Sequence, residues 1–425
     1  MPKFLVYSHD TYGLGNVRRM LTIAEHLVES SEDVSVLLVS GSPMIQSFRI
    51  SDRIDYIKLP AVRRVARERY QARSLRVELD QLIALRASVV LSAVAGFEPD
   101  LILVDKKPLG VNDELAPALE YARKSRRRCR AALVLRDILD APERTARQWR
   151  EDRCDEHIRN LYDAVYVLGS QDVFDACREY RFSAQVSRKL QYCGYVARKP
   201  GRRAPEAVRQ ALRIPGGRML LVTPGGGEDG YALLDAYVNA LPQLPSDGSV
   251  TSVIVTGSDM PAEQKRAVEQ RCGGDPNVRV LEFVDDMMSY MAAADLVISM
   301  GGYNTFCEIA SARRRAVIVP RAKPVLEQSI RAERFAARGL LSAVEPDRLS
   351  PATLLDAIST ELRRVAAGEP GFGAYLDMDA LPRLSASIAT MLGARPPRRP
   401  LRLTRGPIRP LTAATFQAML AGRAR

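Results

Sequence analysis

The 425-residue chain is long enough for two domains with full cores, and no uninterrupted apolar run approaches the ~20 residues of a membrane span. Its formal net charge of +12 is misleading, because residues 394–425 hold eight Arg and no Asp or Glu and so leave only +4 on the rest; nucleic acid, which asks for a basic face on the fold itself, is not expected as a partner. Six cysteines without any Cys-x-x-Cys spacing, and only three histidines, argue against a zinc site or a disulfide framework and for buried free thiols.

In chain order, strands and helices alternate from the start. Residues 4–8 read as a strand, too short for a signal-peptide core, so a cytoplasmic protein is expected. A glycine-containing loop and a helix over 17–28 follow, then strands at 34–39 and 55–59 and a long Arg-rich helical region over 64–95. Strand 101–104, helix 112–124, strand 131–135, helix 143–160 and strands 164–167 and 190–193 complete a doubly wound parallel sheet. Pro200, Gly201, Pro205, Pro215 and Gly216 mark a linker. The pattern then restarts with strand 219–223, helix 231–241, strand 252–256, helix 261–271, strand 278–282, helix 286–293, strand 296–299, strand 316–319, helix 326–338 and helix 350–366. The expected division is a Rossmann-like domain over 1–195, a linker over 196–216, a second Rossmann-like domain over 217–393 and a Pro/Arg-rich tail over 394–425 that carries a short helix at 411–421. Such a tail suits anionic lipid headgroups, a partner or simple solvation. Peripheral contact with the inner membrane face is therefore an expectation too.

The stretch 296–309 carries the most chemistry. A short apolar strand leads through Gly301-Gly302 into a helix whose Thr305 and Glu308, three residues apart, share one face. Free N–H groups and partial positive charge at such a helix start suit a diphosphate, and Glu308 suits vicinal sugar hydroxyls. Gly225-Gly226-Gly227-Glu228-Asp229-Gly230 contains G-x-G-x-x-G, but no acidic residue ends a strand about 20 residues on, so the loop reads as backbone amides beside phosphate and not as a dinucleotide fingerprint. Gln328 offers both amide groups to a sugar, and Arg321 or Arg331 offers charge to a diphosphate. Val284, Asn304 and Glu327 are counted with this donor site.

In the first half, His9-Asp10 follow the first strand at its carboxyl end, where open α/β sheets bind ligands. His9 has the chemistry of a general base and Asp10 that of its orienting partner; a histidine hydrogen-bonded into its own loop is the alternative. Gly13, Gly15 and Asn16 belong to the same loop, and Asp105, Lys106, Arg136 and Asp137 end two further strands on that edge, as cleft residues or salt-bridged scaffold. Arg63, Arg64, Arg67, Arg69, Arg73 and Arg76 form either a basic patch or a solvated helix face. Asp377-Met378-Asp379 imitates a metal-binding Asp-x-Asp, but no apolar strand leads into it, and no metal ligand is assigned.

With a glycine loop opening each half, the layout resembles the GT-B glycosyltransferases, and within them the branch of the lipid-linked muramyl-pentapeptide N-acetylglucosaminyltransferase. The resemblance is strongest over 295–340 and extends over roughly 1–370. It is closer still to a group of uncharacterised bacterial glycosyltransferases, through Ser8-His9-Asp10-Thr11-Tyr12-Gly13-Leu14-Gly15, Leu103-Val104-Asp105-Lys106, Leu135-Arg136-Asp137-Ile138-Leu139-Asp140, Gly302-Tyr303-Asn304-Thr305 and Glu327-Gln328. The resemblance implies a ribose-binding role for Glu308 and a donor-sugar contact for Gln328. It implies a transferase that needs no metal, with a nucleotide-diphosphate sugar, UDP-linked, as donor and a lipid-linked or secondary-metabolite hydroxyl as acceptor. A nucleotide-sugar 2-epimerase or an inactive nucleotide-sugar-binding partner protein are the rival expectations. One departure stands out: the family tends to have His where this chain has Asn16.

Overall fold

The computed structural model describes residues 1–425 except 10–14, 67–68, 126–128, 215, 322 and 394–425. Asp10, Gly13 and the basic tail with its expected helix thus lie outside the described residues. The expected strands pair in two separate parallel sheets. The first takes β1 (Lys3–Ser8), β2 (Ser35–Ser40) and β3 (Ile54–Lys58) on one side. A small hairpin of β4 (Val62–Ala66) and β5 (Arg69–Ala72) intervenes in the chain before β6 (Leu101–Asp105), β7 (Arg130–Arg136), β8 (Ala164–Leu168) and β9 (Leu190–Tyr192). Its order is β3-β2-β1-β6-β7-β8-β9. The second sheet holds β10 (Arg218–Thr223), β11 (Val250–Val255), β12 (Val278–Leu281), β13 (Leu296–Ser299), β14 (Arg315–Ile318) and β15 (Ser342–Ala343), in the order β12-β11-β10-β13-β14-β15. Strands such as LILVD and LVIS are buried along their whole length, as apolar runs covered on both faces must be.

Each sheet reverses its winding once, between β1 and β6 in the first and between β10 and β13 in the second. Loops after these four strands diverge and leave a crevice, which is where ligands of such sheets bind. His9 and Lys106 follow one pair of strands; the Gly225 and Gly301 loops follow the other.

Three expectations change. The helical region over 64–95 is a β-hairpin followed by a helix, Leu79–Phe97. Arginine does not oppose helix, and what decides is a tertiary effect: Val62 and Tyr70 bury against Leu82 and Val111. That helix is long and apolar enough to cross a membrane by length and composition, although Asp80 and Arg86 interrupt its apolar run. In the fold it sets Leu82, Arg86, Val90 and Val94 inward, with Arg86 paired to Glu114. The helix over 143–160 is two, Pro142–Glu151 and Cys154–Leu161, broken where Arg153 takes φ of 48°.

The last helix, Ala380–Met391, had no sequence signal of its own, and it breaks the expected division at 217–393. It returns to the first half, where Ser385 Oγ lies 3.3 Å from His26 Nε2 and Ser387 Oγ 3.1 Å from the Tyr166 hydroxyl. Its Leu384 is fully buried in a core cluster shared by both halves.

Polar groups also join the halves. Arg331 clamps Asp137 with two N–H donors at 2.7 Å each, and both side chains are almost completely buried. Arg136 pairs with Glu327 beside it. Arg198 of the linker donates to Thr22 Oγ1 at 2.7 Å and to Asn304 Oδ1 at 2.8 Å, and Asn304 donates to the Gly15 carbonyl at 3.0 Å. Tyr303 donates to the Leu168 carbonyl at 3.0 Å. Asp137→Ala should lower stability by about 3–5 kcal/mol, because it strands a buried guanidinium. Asp137→Leu with Arg331→Met should recover most of that loss in urea denaturation; a double variant no more stable than Asp137→Ala would show that the pair itself contributes.

Candidate functional site

The two crevices open onto one cavity of about 1170 Å³ between the halves. Pockets for one small molecule run to about 1,000 Å³, so this one has room for two reactants. Its second-half wall is built from the glycine loops. Gly301 has φ of +73°, and a Cβ there would lie 2.7 Å from Ile318 Cγ2, so only glycine turns the chain from β13 into the helix Tyr303–Ser311. Gly227, at φ of +97°, would bring a Cβ to 2.3 Å from the Thr256 carbonyl. A Cβ on Gly225 would stand 3.5 Å from Thr305 Oγ1, so the two loops face each other across a gap lined by backbone. Gly225, Gly226, Gly227, Val284, Gly302, Asn304, Thr305, Glu308, Arg321, Glu327 and Gln328 of the expected donor set all line the cavity. Gly301 lies just behind the wall, and its carbonyl accepts from Arg331 at 3.1 Å.

The charges of this wall have partners. Glu308, nearly buried, meets Arg18 of the first half at 2.6 Å. Arg198 lies close to the same carboxylate; burial pushes its guanidinium pKa down, and Glu308 offsets only part of that. Arg321 reaches Asp229 at 2.8 Å, and its backbone N–H donates to Gln328 Oε1 at 3.0 Å. Burial pushes the Glu327 carboxyl up, but Arg136, Arg331 and Arg321 outweigh it and hold the group below the usual carboxylate range. Arg331 is 1% exposed and committed to Asp137, so the diphosphate contact expected of it is corrected; Arg321 remains in the cavity.

On the first-half wall, Gly15, Asn16, Lys106 and Arg136 line the cavity as expected. Asp105 and Asp137 do not: Asp105 pairs with Arg19, and Asp137 is taken by Arg331. They are scaffold, the alternative left open for them. His9 is fully buried and absent from the lining, with its backbone N–H 3.4 Å from Asp105 Oδ2. Its ring therefore does not reach an acceptor in this arrangement. Asn16 bridges inward, donating to the His9 carbonyl and accepting from Arg19 at 3.0 Å.

Several lining residues escaped sequence reasoning. Arg18 carried no signal beyond its helix. Asp140, Thr145, Gln148 and Trp149 sit on or just before the helix Pro142–Glu151, and the last three share one face by their i, i+3, i+4 spacing. That spacing was visible; only the fold shows that the face meets the cavity.

Residues 219–366 match the glycosyltransferase family 28 C-terminal domain. An uncharacterised glycosyltransferase of Methanopyrus kandleri is 28% identical over 204 residues, 47% of this chain and 54% of the relative. The UDP-N-acetylglucosamine–N-acetylmuramyl-(pentapeptide) pyrophosphoryl-undecaprenol N-acetylglucosamine transferase of Syntrophotalea carbinolica is 31% identical over 141 residues, 33% of this chain and 39% of the relative. The chain thus spans about half or less of the length of these curated relatives. Among solved structures, a calicheamicin glycosyltransferase superposes with a TM-score of 0.60 at 16% identity, over 92% of this chain and 98% of its own. A UDP-N-acetylglucosamine 2-epimerase does so with a TM-score of 0.58 at 12% identity, over 95% and 99%. At such identities the likeness is one of fold. Two winding-reversed parallel sheets facing a shared cavity are the GT-B fold, and within it residues 219–366 are similar to the glycosyltransferase family 28 C-terminal domain.

Proposed function

We propose that the protein is a glycosyltransferase that moves a sugar from a UDP-linked donor to an acceptor hydroxyl without a metal ion. One observation carries this reading: the family 28 segment brings both glycine loops, Glu308 and Gln328 to one wall of a cavity whose opposite wall is the first half. The donor base follows the relative whose name includes UDP-N-acetylglucosamine. As the bond to the sugar breaks, negative charge grows on the leaving diphosphate. Backbone N–H groups of the 225–227 and 301–303 turns, with Arg321, would stabilise it there. Glu308 accepts the ribose hydroxyls, exchanging its ion pair with Arg18 for them.

The first-half wall sets Phe48, Val65 and Trp149 beside Arg49, Lys106 and Lys107. That mixture suits an acceptor with an apolar body and an anionic group, as in a lipid-linked or aromatic metabolite. On this reading the protein works in the cytoplasm, and its basic tail meets an anionic membrane.

The near-complete overlap with the epimerase fold favours one other reading, inversion of the donor sugar at C2. Incubation of the purified protein with UDP-N-acetylglucosamine and EDTA, with and without lipid and metabolite extracts, separates them. Transfer predicts acceptor-dependent UDP release that survives EDTA; a C2 epimer formed from donor alone contradicts it. Glu308→Ala removes charge-assisted hydrogen bonds of roughly 1.5–3 kcal/mol, so UDP affinity should fall about tenfold to a hundredfold in calorimetry. An unchanged UDP affinity would place the ribose elsewhere.

A further inference from the structure

Glu308 is 2% exposed, and Arg18 meets its carboxylate at 2.6 Å. A ribose that takes over this carboxylate brings neutral hydroxyls in exchange for a guanidinium. A buried carboxylate stripped of its counter-charge is strongly unfavourable. A second cation must therefore stay beside Glu308 when Arg18 leaves. We propose that Arg198 is that resident cation and that it positions the Glu308 carboxylate for the ribose hydroxyls, an assignment that rests on the nucleotide site proposed above.

Arg198 lies along the helix Tyr303–Ser311 and is fixed at both ends. Its backbone N–H donates to Ser311 Oγ at 2.9 Å, and its guanidinium donates to Asn304 Oδ1 at 2.8 Å. Asn304 and Ser311 mark two turns of one helix face, and Glu308 stands between them, four residues after the first and three before the second. The Arg198 side chain thus runs along the stripe to which Glu308 belongs. From the first half, the helix Gly15–Ser30 brings Arg18 and Thr22, also one turn apart, to the same place. Arg18 takes Glu308, and Thr22 Oγ1 accepts from Arg198 at 2.7 Å.

The two arginines are held differently. The Arg18 side chain is 44% exposed and can swing away. Arg198 is tied to both halves through its backbone and both terminal nitrogens. Burial pushes its guanidinium pKa down, and Glu308 comes first among the groups that oppose this, ahead of Cys307 and Tyr303 of the same helix. Its Nε, shut off from solvent, has no hydrogen-bond partner, so one donor of the guanidinium stays uncommitted. A carboxylate released by Arg18 is the acceptor that this charge and this donor suit. Without Arg198, Arg18 becomes the sole counter-charge of Glu308, and ribose hydroxyls could not take its place.

2′,3′-Dideoxy-UDP lacks the hydroxyls in question, so the ratio of its dissociation constant to that of UDP reads the ribose contact alone. Calorimetry on the full chain should give a ratio of about ten to a hundred for the wild-type protein. Arg198→Gln keeps a hydrogen-bonding head near Thr22 and Asn304 and removes the charge. Its ratio should fall to about three or less, with dideoxy-UDP bound within about twofold of wild type. Arg198→Met takes its place, with the same expectation, if the glutamine variant does not fold. Arg198→Lys keeps the charge and should hold the ratio within about threefold of the wild-type value. A neutral variant that keeps the wild-type ratio overturns the assignment, as does a lysine variant no better than the neutral one. UDP and dideoxy-UDP affinities that fall together also overturn it, since a merely structural residue acts on both alike. A ratio near one in the wild-type protein instead overturns the ribose role of Glu308 itself.

Discussion

Everything about the cleft depends on a guanidinium and a carboxylate shut between two sheets. Arg331 and Asp137 are each 1% exposed, one from either half, and each is the other's main compensation for the loss of water. Such a pair is close to neutral in stability, since desolvation consumes most of the Coulomb gain. Its value lies in geometry: in this arrangement of the two halves each group satisfies the other. Burial pulls the Arg331 pKa down, and Asp137 more than reverses it, so the charge persists at any physiological pH. Arg331 also donates to the Gly301 carbonyl, and the pair thereby ties the Gly301 turn to the contact between the halves.

From that constraint the division of labour follows. The second half presents backbone amides and the Glu308 carboxylate. The first half presents a mixed apolar and cationic wall with, among the described residues, one carboxylate. Arg18, Arg198 and Asn304 knit the two walls around Glu308. On the proposed function, a nucleotide entering there would have to displace a first-half arginine, and donor binding would reach the opposite wall before any chemistry occurs.

The two glycine turns of the proposed donor wall were legible in the sequence because their signals are local. A strand, two glycines and a helix start are contiguous from 296 to 308, and their geometry requires nothing beyond the backbone. The acceptor side was legible only as an edge. A charged residue at the end of a strand announces that edge but not its partner, so Asp105 and Asp137 read like cleft groups until Arg19 and Arg331 are placed beside them. Asp140 stood inside a quoted motif and drew no notice, because the Leu326 N–H that it accepts comes from far along the chain. The hairpin over 62–72 and the returning helix Ala380–Met391 were hidden for the same reason: each is held by long-range burial and carries no strong local pattern.

The account's central claim is that the glycine turns and Glu308 hold a nucleoside diphosphate. A crystal structure of the protein soaked with UDP tests it most directly. The claim predicts diphosphate oxygens on the N–H groups of residues 301–303 and 225–227, ribose hydroxyls on Glu308, and Arg18 displaced from that carboxylate. A nucleotide bound elsewhere, or UDP seated in the cavity with the Arg18–Glu308 pair intact, would contradict it.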